Sequence, residues 1–136
     1  MSPPRRILIV EDNSLVSKFY RLALERAGGF QCLASEALPE ILAAVRAGTV
    51  DLAIIDVSLT NTVQEGRILD GVELTQLVKK ESPHTLPVLL ATAHAMAGDR
   101  ERLLASSGAD GYLEKPVYEA ELLVQKVNEL LRKAQQ

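Results

Sequence analysis

Short apolar runs alternate with stretches whose apolar residues recur at helical spacing, from one end of the chain to the other. Arg6-Ile7-Leu8-Ile9-Val10 is rich in β-branched residues and stops at acids, the pattern of a strand buried on both faces. Leu15, Val16, Phe19, Leu22 and Ala23 then mark one side of a helix that Asn13 or Ser14 can cap and Gly28-Gly29 can end. Residues 30–34 form a weaker strand. The next helix begins near 35–39, where a proline is tolerated in the first turn, carries Ile41, Leu42 and Val45, and stops at Gly48. Leu52-Ala53-Ile54-Ile55-Asp56-Val57 is the most buried-looking strand. Val72, Leu74, Leu77 and Val78 predict a third helix ending before Pro83. A strand over 87–91, a helix over about 97–108, a strand over 111–114 and a helix over about 118–132 complete the series. Strand and helix alternating five times predict an α/β fold, a parallel sheet with helices on both faces. Residues 58–70 are the one long piece without periodicity.

Composition removes several classes of function. The 15 Lys+Arg against 18 Asp+Glu give net −3, against a dedicated nucleic-acid binder. Cys32 is the only cysteine, and His84 and His94 are the only histidines, so an internal disulfide, a Cys-based zinc site and a histidine cage are excluded. Cys32 reads as a small core residue. The apolar run after Arg5-Arg6 is too short for a signal peptide, and no run approaches a membrane span. A cytoplasmic protein with no membrane or nucleic-acid partner is expected. The helix ending near residue 132 is followed by only a few residues, so one domain spanning 1–136, core about 5–132, with no output domain, is the expectation.

In parallel α/β sheets the reactive groups gather at the carboxyl ends of the strands. Those ends carry Glu11-Asp12, then Asp56, then Thr92 and His94, then Lys115-Pro116. Three carboxylates, a hydroxyl and an ammonium would share one rim. The turn after the first strand reads Glu11-Asp12-Asn13-Ser14, with none of the glycines that cradle phosphate in dinucleotide and P-loop sites. Acids there repel a phosphate unless a cation lies between, and oxygen-only ligands favour Mg²⁺. A carboxylate can act as a covalent nucleophile toward phosphorus, with Lys115 and Thr92 contacting the phosphoryl oxygens. His94, two residues past Thr92, reads as exposed, although it lies where it could gate attacking water.

The chain resembles the response-regulator receiver domains (CheY-like) of bacterial two-component signalling. The matching pieces are 7–13, Ile54-Ile55-Asp56, Asp70-Gly71, 87–93, 108–112 and Lys115-Pro116, in order and one per strand end. The resemblance implies a five-stranded parallel sheet of order 2-1-3-4-5. It implies Asp56 as the phospho-acceptor, loaded from a sensor histidine kinase or a phosphotransfer protein, and a phosphorylation-dependent switch acting on a downstream protein. Glu11, Asp12, Asp56 and the main-chain carbonyl of Ser58 would hold Mg²⁺, and Lys115 would pair with the phosphoryl group. Thr92 would move inward to it, leaving space for the switch aromatic, Tyr112, to turn. The Lys115-Pro116 bond would be cis. The output surface would be the fourth helix, fifth strand and fifth helix, and the chain would be a monomer or a weak homodimer through that face. Catalysis would be limited to the chain's own phosphoryl transfer and dephosphorylation.

The pattern is broken in one place. Thr60 stands where the family usually has proline, and Gly71 lies fifteen positions after Asp56 because the 58–70 loop is long. Its Val63, Ile68 and Leu69 are expected to pack back onto the domain, with the loop covering the phosphoryl group or contacting a kinase. Other readings of the residues are weaker. A haloacid-dehalogenase-type phosphatase would need a second acid where Ser58 stands, a flavodoxin-like FMN carrier would meet repelling acids after the first strand, and a docking-only pseudo-receiver would more naturally have lost a site residue.

Overall fold

The computed structural model describes residues 3–93 and 98–135. The chain runs β1 (Arg6–Val10), α1 (Ser14–Gly28), β2 (Gln31–Ala34), α2 (Leu38–Arg46), β3 (Leu52–Asp56), β4 (Val63–Gln64), β5 (Arg67–Ile68), α3 (Gly71–Glu81), β6 (Val88–Thr92), α4 (Asp99–Ser107), β7 (Gly111–Glu114) and α5 (Ala120–Ala134). Five strands form one parallel sheet in the order β2-β1-β3-β6-β7, which is the 2-1-3-4-5 order expected from the resemblance.

The alternation along β1 explains both cores. Leu8 and Val10 pack with Ile41, Val45, Leu74 and Val78 of α2 and α3. Ile7 and Ile9 pack with Leu24, Leu123 and Val127 of α1 and α5. Side chains of a strand alternate between faces, so a continuous apolar run serves two helical layers at once. Asn13 caps α1, accepting from the amides of Leu15 and Val16, and left-handed Gly29 ends it. Asp70 and Glu73 form a reciprocal capping box that starts α3.

The expectation for 58–70 needs correction. It contains a two-stranded antiparallel hairpin, β4–β5, pairing Val63 with Ile68 and Gln64 with Arg67. Glu65 and Gly66 form its turn with φ of 51° and 79°, the left-handed pair that a two-residue hairpin turn demands. Two-residue strands are too short to show alternation in sequence. Leu59 and Leu69 are buried in the core on the α2–α3 side. Val63 and Ile68, in contrast, are 45% and 53% exposed, so only part of the loop's apolar surface packs back.

Candidate functional site

The site residues are delivered by the ends of four sheet strands. Glu11 and Asp12 follow β1, Asp56 is the last residue of β3, Thr92 is the last of β6, and Lys115 follows β7. Lys115 is held in place by its amide, which donates to the Thr92 carbonyl at 2.8 Å and continues the β6–β7 pairing. The Lys115-Pro116 peptide is cis.

One ligand oxygen each from Glu11, Asp12 and Asp56 lies within 4.8 Å of the others. Glu11 and Asp56 are buried, 5% and 4% exposed, while Asp12 is half-buried. Lys115 Nζ donates to Glu11 Oε1 at 2.8 Å and lies 3.5 Å from Asp56 Oδ2. The Asn13 amide donates to Glu11 Oε2 at 3.1 Å, and the Ser58 amide to Asp56 Oδ1 at 3.2 Å. Burial, opposed by Lys115 and the Asn13 amide but aided by the Asp56 charge, pushes the Glu11 carboxyl up to about 7. Burial also acts to lower Lys115, but its bond to Glu11 and the nearby Asp56 charge outweigh it and raise its pKa. For Asp12, burial is outweighed by bonds to Glu11, Asp56 and Thr60, and its carboxyl is lowered. A cation among these carboxylates would favour the ionised form of Glu11 and offset the repulsion between the acids. An all-oxygen donor set carrying more negative than positive charge fits a hard divalent cation.

The Thr92 side chain is buried at the end of β6. Tyr112 on β7 is buried too, and its hydroxyl is hydrogen-bonded to Thr92. Both side chains are inward at this rim, on adjacent strands. Burial raises the Tyr112 phenol. Cys32 is half-buried against the α1–α5 core, with its thiol pushed up to about 12 by burial, which agrees with a packing role. His94 lies outside the described residues.

One contact escaped sequence reasoning. Thr60 donates its hydroxyl to Asp12 Oδ2 at 3.2 Å. The available signal was a hydroxyl residue in the position where proline is usual, four residues after Asp56. Its partner, 48 residues away in sequence, could only be found in the folded chain.

Comparisons with known proteins agree with this arrangement. The family profile described as response regulator receiver domain matches residues 7–128. The polar-differentiation response regulator DivK of Brucella anthropi is 32% identical over 115 residues, spanning 84% of this chain and 86% of the relative. DivK of Brucella abortus is 32% identical over 114 residues, spanning 83% and 85%. The crystal structure of a CheY-like response regulator receiver domain protein from Methanospirillum hungatei superposes with a TM-score of 0.78 at 26% identity, covering 98% of both chains. A profile match over most of the length, joined to the sheet order and to acids at the ends of β1 and β3, places this chain in the response regulator receiver domain family.

Proposed function

We propose that Asp56 is the residue this receiver domain phosphorylates. The observation that carries this reading is a buried carboxylate at the end of the central strand, 3.5 Å from the Lys115 ammonium and clustered with two further acids. Receiver domains are signalling proteins rather than classical enzymes, and they bind Mg²⁺ at an acidic pocket. Here Glu11, Asp12, Asp56 and the Ser58 carbonyl would hold the ion. When bound, it would offset the charge of an incoming phosphoryl group.

In the transfer, an Asp56 carboxylate oxygen attacks the phosphorus of a phosphohistidine on a sensor kinase or phosphotransfer protein. The P–N bond breaks, its electron pair leaves with the imidazole, and that nitrogen takes a proton from solvent. The product is a mixed anhydride on Asp56. Lys115 exchanges part of its pairing with Glu11 and Asp56 for the phosphoryl oxygens, an electrostatic role that requires no proton transfer. Thr92 donates its hydroxyl to a phosphoryl oxygen and gives up its bond with Tyr112. The change is read by a downstream protein at the face formed by α4, β7 and α5, which is also where a weak homodimer would form. A cytoplasmic site of action goes with the family reading; among the described residues no helix is long and apolar enough to cross a membrane. The phosphatase and flavin-carrier readings are not favoured.

The test is intact mass with acetyl phosphate and Mg²⁺. Wild type should gain one base-labile phosphoryl group, and Asp56→Asn, which keeps the shape but removes the nucleophilic charge, should gain none. Equal labelling of both proteins would refute the assignment.

A further inference from the structure

The inserted hairpin is not a free excursion. Its base is closed by the Leu69 amide donating to the Thr62 carbonyl at 2.8 Å. Thr62 is fully buried and donates its hydroxyl to the Glu36 carbonyl at 2.9 Å, while Asn61 Nδ2 donates to Glu36 Oε1 at 3.0 Å. On the other side, Arg67 meets Glu73 in the first turn of α3 at 2.7 Å. The hairpin is thus tied both to the β2–α2 connection and to α3. Its remaining tie enters the acid cluster, where Thr60 Oγ1 donates to Asp12 Oδ2 at 3.2 Å.

The three acids are supported unequally. Lys115 bonds Glu11 and approaches Asp56, and backbone amides donate to both of those carboxylates. Asp12 is the more exposed member, and its Oδ2 takes the Thr60 hydroxyl. A ligating carboxylate whose second oxygen is bonded is fixed in orientation, and losing such a partner typically weakens metal affinity by about 10–100-fold.

From this geometry we infer that Thr60 is a positioning residue for Asp12, and that through it the inserted hairpin and divalent-metal binding are coupled. The inference rests on the metal reading of the acid cluster. A hydroxyl that holds Asp12 ready for the ion is itself held by the ion's preference for that arrangement. The coupling is reciprocal, so Mg²⁺ must order the hairpin by the factor by which Thr60 raises Mg²⁺ affinity. Because this bond is solvent-accessible, a loss of about fivefold is expected, below the range for buried partners.

The experiment is calorimetric titration of Mg²⁺ into wild type, Thr60→Val and Thr60→Ser, with hydrogen exchange of residues 59–70 with and without Mg²⁺. Thr60 lies in an exposed loop, and thermal melts without metal check that all three proteins are folded. Valine keeps the shape and removes the hydroxyl, so Thr60→Val should bind about fivefold more weakly. Serine restores the donor, so Thr60→Ser should return to within about twofold of wild type. Mg²⁺ should slow exchange across the hairpin more in wild type than in Thr60→Val, where the Ser58 carbonyl alone would tie the loop to the ion. Equal affinity of wild type and Thr60→Val, failure of serine to restore binding, or hairpin exchange indifferent to Mg²⁺ would each overturn the inference. Wild type that binds no Mg²⁺ at all would instead overturn the metal reading on which it rests.

Discussion

Gly71 opens α3 directly against the carboxyl end of β3, and a single methyl group there should disturb the acceptor strand. Its amide donates to the Val57 carbonyl at 2.9 Å, which draws the helix start onto the strand end. A Cβ on residue 71 would stand 2.1 Å from the Asp56 carbonyl oxygen, 2.7 Å from the Asp56 carbonyl carbon and 2.7 Å from Val57 Cα. All three are backbone atoms, so no rotamer change relieves the overlap; the helix start or the strand end must move. Overpacking of a filled interior costs about 1–3 kcal/mol, and backbone on the receiving side puts Gly71→Ala near about 3 kcal/mol. For a domain of this size that is a fall in melting temperature of about 10 °C. Helix propensity alone argues the opposite sign, since alanine is favoured over glycine by about 1 kcal/mol in a helix interior. Gly28→Ala provides the contrast: its Cβ would meet Phe30 ring atoms at 2.6 Å, and a ring can turn. Urea and thermal unfolding of the two variants should show a large loss at 71 and a change within about 1 kcal/mol at 28. Acetyl phosphate labelling of Gly71→Ala should also slow, because the moved backbone carries Asp56. A Gly71→Ala protein as stable as wild type, or more so, would refute the close-approach argument.

The other expectations follow from individual side chains. Glu11 has a folded-state pKa of about 7 against an ordinary 4.5, so its protonated form contributes stability that is complete below about 4.5 and lost as pH rises through about 7. That contribution is up to about 3 kcal/mol; metal-free wild type should lose it between pH 5 and 7.5 relative to Glu11→Gln, and parallel melting curves for the two would count against it. Among the described residues the buried Tyr20 hydroxyl has no hydrogen-bond partner, so Tyr20→Phe should raise unfolding free energy by about 1 kcal/mol; a loss in urea titration would mean that the hydroxyl is bonded. Replacing residues 63–68 by a two-residue turn removes exposed residues and the exposed Arg67–Glu73 pair and leaves Leu59, Thr62 and Leu69 in place, so stability should change by less than about 1 kcal/mol, while the lifetime of the phosphoryl group or the choice of kinase should change. Identical dephosphorylation kinetics and kinase preference would make the tip a passive excursion. Thr92→Ala should still accept phosphate at Asp56 but show weaker exchange changes around Tyr112 on phosphorylation, and unaltered changes there would remove Thr92 from the switch.

The alternation of apolar runs and amphipathic stretches by itself determined the α/β architecture, because two-sided burial of a parallel strand leaves no room for polar residues. Residues such as Ile7, Leu8, Ile9 and Val10 announce their strand whatever surrounds them. The acids and Lys115 were legible for a related reason: each abruptly ends an apolar run, and in this architecture strand ends converge. The cis Lys115-Pro116 peptide followed from the family resemblance. Residues 58–70 were decided only by tertiary structure. Two-residue strands have no detectable period, and the hairpin is held by contacts to Glu36, Glu73 and Asp12, which lie on other elements. Tyr112 was legible as an aromatic of the fifth sheet strand, but its buried position beside Thr92 depends on how β6 and β7 pair. The same holds for Thr60: its hydroxyl is visible in the sequence, but a hydrogen bond across 48 residues exists only once β1 and β3 lie side by side.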